Sequence, residues 1–271
     1  MRARHLPEMT RTGLRAACAV WLIAAAPAPA VTSPPPSIPT PPPRPIPLAT
    51  NEAIADQFTM LAFDADPVIG AVPREALARW QGPVRLFVSG SRRDFQLAEQ
   101  IAGSLAKVTG LPFEMVNGGP PNLIIAVDTD LTGVFGGPLR RLLLAAFEGD
   151  EAQADAFIDN VVKSQTCWAL AVWGDPAQTL IKAAVAGIDA HQPAAQVQRC
   201  MAQKLAAAMG LLGPSGYLPR SVFAPQTTST RYSREDLIML RLLFSPSIHA
   251  GMTRDEVHAA AVTILPSLRN R

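Results

Sequence analysis

Apolar and polar residues recur along the chain with two periods, and the changes from one to the other mark its elements. Asn51–Phe63 carries apolar positions at helical spacing, and Pro83–Ser89 (PVRLFVS) reads as a strand closed by Gly90. Arg93–Val108 returns to the helical period, with Phe95, Ile101, Leu105 and Val108 apolar, and Gly110 stops it. Phe113–Val116 and Asn122–Val127 (NLIIAV) read as strands on either side of the turn Gly118-Gly119-Pro120-Pro121. Leu139–Ala146 and Asp150–Lys163 are helical, and Cys167–Trp173 and Thr179–Ile188 form two strands joined across Gly174-Asp175-Pro176. Ala194–Leu212 is a long helix with Val197, Met201, Leu205, Ala208 and Leu212 in one apolar stripe. Ser233–Phe244 and Thr253–Ile264 close the chain, and each opens with a capping box, Ser233 with Asp236 and Thr253 with Glu256. Strands in the first two-thirds, with helices around and after them, predict an α/β (α+β) fold: a mixed sheet packed with helices.

The N-terminus follows neither period. Residues 1–15 are polar and basic, Ala16–Ala26 is an apolar run of eleven, and small residues follow to Ala28-Pro29-Ala30. That is the layout of a secretory signal peptide, and proline after the alternative sites places cleavage before Val31. An uncleaved anchor is the competing reading, but the run falls short of the roughly 20 residues of a comfortable span. The expected location is periplasmic or secreted, in a bacterium, with no transmembrane domain once the signal is removed. Val31–Leu48 holds nine prolines in eighteen residues. Such a strip favours polyproline II, about 55 Å long at ~3.1 Å per residue. It serves as a spacer or as a docking strip for an aromatic groove. Residues 49–271 then suit a single globular domain.

Export changes the reading of charge and cysteine. The formal net charge of +2 arises at the N-terminus, since residues 31–271 hold 20 basic and 21 acidic side chains. Basic residues are scattered and aromatics make up 6%, so no nucleic-acid stripe is present. Cys18 leaves with the signal, and Cys167 and Cys200 remain in an oxidising compartment. A Cys167–Cys200 bridge is expected; it would stabilise by about 3.7 kcal/mol on chain-entropy arithmetic. A catalytic cysteine would instead need a free thiol beside a base, and no histidine adjoins either in sequence.

Chemistry is harder to find. There is no G-x-S-x-G, P-loop, C-x-x-C or G-x-G-x-x-G, and the paired glycines each meet proline as turns. His191, His249 and His258 lack metal-ligand spacing and form only a weak candidate polar site, with Asp128, Asp130 or Asp189 as carboxylate partners.

A family becomes visible in the last third. Cys200-Met-Ala-Gln-Lys-Leu-Ala-Ala-Ala-Met-Gly-Leu211, Ser221-Val-Phe223 and Tyr232-Ser-Arg-Glu-Asp-Leu through His249-Ala-Gly-Met-Thr253 carry the pattern, joined by Trp80, Pro83-Val-Arg85 and Asn122. Over residues 51–265 the chain resembles the bacterial domain-of-unknown-function family 2927, exported proteins without assigned activity. The resemblance implies a long helix whose polar spacing overlays the zincin signature H-E-x-x-H-x-x-G-x-x-H, in which residues i and i+4 grip one Zn²⁺ and the glutamate serves as base. On this chain the two histidine positions become Gln203 and Ala207, and the base becomes Lys204. Gly210 is kept, and the third-ligand position is Gly213. Alanine and glycine cannot bind a metal, and lysine carries the wrong charge for the base. Met252 resembles the methionine beneath some zincin metals, and Gly251-Met252-Thr253 equally reads as a turn before a capped helix.

The resulting expectation is an exported binding or scaffolding module with a degenerate zincin-like fold, no catalytic metal and no cofactor, whose partner is an envelope protein or polymer. A periplasmic hydrolase with a non-standard site, or a membrane-anchored structural protein, are the alternatives. N-terminal sequencing of the exported chain should begin at Val31; a start at Met1 would favour the anchored alternative.

Overall fold

The computed structural model describes residues 49–66, 73–214 and 216–270, so the signal-like residues 1–30 and the proline strip 31–48 lie outside the described residues. The helices are α1 (Asn51–Phe63), α2 (Arg92–Thr109), α3 (Leu131–Gly136), α4 (Arg140–Ala146), α5 (Glu151–Phe157), α6 (Ala194–Ala208), α7 (Arg234–Leu243) and α8 (Arg254–Arg269). The strands are β1 (Val84–Ser89), β2 (Phe113–Met115), β3 (Leu123–Asp128), β4 (Cys167–Trp173) and β5 (Ile181–Asp189). They make one mixed sheet in the order β2-β1-β3-β5-β4. Four strands run parallel, and β4 is antiparallel to β5 at one edge. The fold is α/β, as the hydrophobic pattern predicts.

Both faces of the sheet are covered, which explains why β3 and β4 are apolar almost throughout. In β3, Leu123, Ile125 and Val127 enter the larger core with α1, α2, α6, α7 and α8, whereas Ile124 and Ala126 enter the smaller core with α3–α5. Phe135, Phe157 and Trp168 meet edge to face in that smaller core, with centroids 4.5 and 5.0 Å from the tryptophan. Cys167, at the start of β4, is bonded to Cys200 in α6, with Cα atoms 5.9 Å apart.

Several bounds differ from the sequence reading for identifiable reasons. The single helix expected over Asp150–Lys163 is α5 continued by a π-helical turn, Ile158–Val162. α3 escapes the periodic pattern because it has six residues and contains Gly133 and Gly136. α6 ends at Ala208 instead of Leu212, because Gly210 takes φ +127°, where an added Cβ would meet the Ala78 carbonyl at 2.7 Å. α8 runs through Pro266 to Arg269, beyond Ile264, where the hydrophobic pattern predicts its end.

Between α6 and α7 none of the described residues lies in a helix or strand, and a buried polar cluster fixes this segment. Asp236 accepts the Ser221 hydroxyl at 2.5 Å and the backbone N–H groups of Val222 and Ser233 at 3.0 and 2.9 Å. Ser221 Oγ in turn accepts from Phe223 N and from the Gln57 amide, whose oxygen receives Tyr217 N and Leu218 N. Gln57, Ser221 and Asp236 are all fully buried. Burial pushes the Asp236 carboxyl above its ordinary range against these hydrogen bonds. Val222 N and Ser233 N share one oxygen, Oδ2, so Asp236→Asn turns its N–H₂ toward the Ser221 hydroxyl, which already accepts from Phe223 N and Gln57, and should destabilise by about 1–3 kcal/mol, as should Ser221→Ala. Denaturant midpoints at constant slope would measure both, and an unchanged midpoint for Asp236→Asn would contradict the clamp.

Candidate functional site

Four of the five positions that overlay the zincin signature come together. Gln203, Lys204, Ala207 and Gly213 line one small pocket with Asp66, Ala169 of β4, Leu211, Leu212, Pro214 and Phe223. Its volume is about 50 Å³, enough for a few waters. Gly213 donates its N–H to the Leu61 carbonyl at 2.8 Å, and a Cβ there would lie 2.5 Å from the Met60 carbonyl oxygen. The third-ligand position therefore admits no side chain. Gly210 does not line the pocket; its carbonyl accepts from Arg74. Burial lowers the pKa of the partly buried Lys204 to about 8, with Asp66 opposing the shift and Arg199 adding to it.

A larger concavity lies at the carboxyl ends of the parallel strands. β1 leads through α2 outward to β2, whereas β3 leads through α3–α5 toward β4 and β5, so the connections diverge between β1 and β3. Open α/β sheets bind ligands outside such a switch point. A groove of about 520 Å³ occupies this place, walled by Gln96 and Gln100 of α2 and Gln198 of α6 over Leu97, Val127 and Val197. Arg93, Asp94 and Gln192 also line it. Across the edge, on the other face, a hollow of about 360 Å³ is lined by Thr129, Asp130, Ser164, Asp189 and His191. There His191 Nδ1 lies 2.9 Å from Asp189 Oδ1, and Gln192 donates to Asp189 Oδ2 at 2.9 Å. Burial pushes Asp189 up, but the hydrogen bonds from Gln192 and His191 outweigh it and hold the carboxyl below its ordinary value. The parallel register sets Asp128 beside Asp189.

A family model described as a protein of unknown function, DUF2927, matches residues 51–263. The chain belongs to the DUF2927 family. No curated protein and no solved structure matches it.

Much of the DUF2927 resemblance marks packing. Ser221 and the Tyr232–Asp236 run supply the buried clamp, the Tyr232 hydroxyl donates to the Ala202 carbonyl at 2.8 Å, and Trp80 Nε1 donates to the Ala208 carbonyl at 2.7 Å. Asn122, just before β3, bonds the start of β1 through Arg85 N and the Pro83 carbonyl. The three histidines have separate surroundings. His191 faces Asp189, His249 sits in the turn before α8 with its N–H toward Met252 Sδ, and His258 on α8 faces Asp56 and Glu52 of α1. Sequence reasoning left Asp128, Asp130 and Asp189 open as partners for any of the three histidines, of which the structure pairs Asp189 with His191, and it missed Asp66, Glu52, Asp56 and the glutamines of the groove. The i,i+4 spacing of two acids on one helical face was the available signal for Glu52 and Asp56.

Because the Lys204 pKa is lowered on folding, the folded state binds fewer protons than the unfolded state between about pH 8 and the ordinary lysine value. The penalty of burying the cation is full below that window and fades as pH rises through it. Lys204→Met should therefore be more stable than the parent at pH 7, with the gain shrinking towards pH 10 in paired thermal melts. A gain independent of pH would contradict this account.

Proposed function

We infer that this DUF2927 protein is an exported, non-catalytic binding module with a degenerate zincin-like fold, held away from its point of export by the proline strip. One observation carries the reading: an open groove of about 520 Å³ lies at the switch point of the sheet, whereas the zincin-overlay positions surround only about 50 Å³. A metal site there would need ligands from Ala207 and Gly213, which have none to give, and would sit beside the Lys204 ammonium. The basic N-terminus, its apolar run and the paired cysteines support export, and among the described residues no helix is long and apolar enough to cross a membrane.

The groove suits a polar ligand whose acidic groups can meet Arg93. Glutamine amides donate and accept, and Leu97, Val127 and Val197 give it an apolar floor. Fragments of envelope polymer, muropeptides and short polysaccharides, match that chemistry. A second reading, hydrolysis, is favoured by one arrangement: His191 held by Asp189 in a hollow with Ser164, Thr129 and Thr132, beside the π-helical turn.

The two separate experimentally. Titration of the intact protein with muropeptides and oligosaccharides should give saturable binding, and Gln96→Trp with Gln198→Trp should weaken it at least tenfold, about 1.4 kcal/mol. No peptide or glycan hydrolysis is expected with or without added zinc. Binding untouched by the tryptophans would remove the groove, and hydrolysis lost in His191→Ala would establish the second reading.

A further inference from the structure

α1 and α8 pack side by side, and their outer surfaces meet at three side chains with no part in the reading above. Glu52 and Asp56 are four residues apart on α1 and so share one face of that helix. His258 reaches them from α8, its Nε2 lying 3.0 Å from Asp56 Oδ1 and 3.6 Å from Glu52 Oε1. One ligand atom from each residue falls within 4.8 Å of the other two. Four ligands held about 2.0–2.1 Å from a tetrahedral zinc stand roughly 3.4 Å from one another. The two nitrogen–oxygen separations bracket that value and the carboxylate oxygens lie no more than 4.8 Å apart, so small side-chain shifts would admit a cation.

The supports are rigid. α1 is anchored below by Ile54, Phe58 and Leu61, and α8 by Val257, Ala261 and Leu265, all fully buried. Thr50 caps α1 at Ala53 N, and the Thr253–Glu256 capping box fixes the start of α8. Sites carried on packed helices hold their geometry better than sites on loops. Glu52 and Asp56 are exposed and His258 is partly so, which leaves a path for the ion and room for water as a fourth ligand. An imidazole with two carboxylates selects a borderline transition cation over Ca²⁺ or Mg²⁺, which favour all-oxygen shells.

We propose that Glu52, Asp56 and His258 form a binding site for a divalent transition cation of the Zn²⁺ class, which clips the first helix of the domain to its last. The site is remote in sequence from Gln203 and Lys204, and it owes nothing to the zincin overlay. It calls for no catalysis: three protein ligands and water on an outer helical surface make a clasp.

The test is equilibrium dialysis of the intact chain, made without a histidine tag, against ZnCl₂ with total metal counted. One zinc per chain at micromolar free metal is expected, with a rise in melting temperature on loading. His258→Ala and Glu52→Gln should each weaken binding at least tenfold, and His191→Ala and His249→Ala should leave it unchanged. Glu52→Gln alters only an exposed side chain, so it keeps the test valid if His258→Ala lowers stability, and metal-free melts report that directly. No saturable binding, or binding insensitive to both His258→Ala and Glu52→Gln, would overturn the proposal. None of these outcomes bears on the groove, whose titrations are run with EDTA present.

Discussion

The Asp236 carboxylate is the constraint on which the second half of the molecule depends. It stands at the start of α7, completes a capping box with Ser233, and reaches across to Ser221 and Val222. Through Ser221 it connects to Gln57, and through Gln57 to Tyr217 and Leu218, so one carboxylate ties α7, the irregular segment and α1 into a single buried network. The side chains of Gln57, Ser221 and Asp236 lack access to water, and each would be costly if left unpaired. The segment it fixes supplies Pro214 and Phe223 to the pocket beside Lys204, so the shape of that pocket is set from some distance in sequence.

Such networks explain why family patterns can mislead. A run such as Tyr-Ser-Arg-Glu-Asp suggests chemistry, because acids and hydroxyls in a fixed order often perform it. Here Ser233 and Asp236 cap a helix, Glu235 pairs with Arg220 at 2.6 Å, and the tyrosine hydroxyl satisfies a carbonyl of α6. The polar residues are held for the packing they permit.

The sequence was most legible where periodicity or capping speaks locally. α1, α2, α7 and the start of α8 follow from apolar spacing and Ser or Thr caps, and β4 from an uninterrupted apolar run. The Cys167–Cys200 bridge followed from compartment and count. Order within the sheet was not legible, because β3 finds β1 and β5 as neighbours through contacts more than thirty residues apart. The pocket around Gln203 was anticipated as a set of positions, but the exclusion of any side chain at Gly213 depends on the backbone of Leu61, which only tertiary structure brings there. The groove between α2 and α6 and the meeting of His258 with α1 were hidden for the same reason.

The antiparallel edge has a consequence for assembly. β4 and β5 adjoin in sequence and can zip as a hairpin, and the Cys167–Cys200 bond closes a ring that contains all of β5 and the first turns of α6. β3, by contrast, must keep one side open while the whole stretch from residue 129 to 180 is laid down before its partner arrives. Closing that long interval costs entropy before it returns any contact. A ring oxidised early would dock onto β3 as a preformed plate, so the slow event in building this sheet becomes the meeting of two finished halves along the β3–β5 seam.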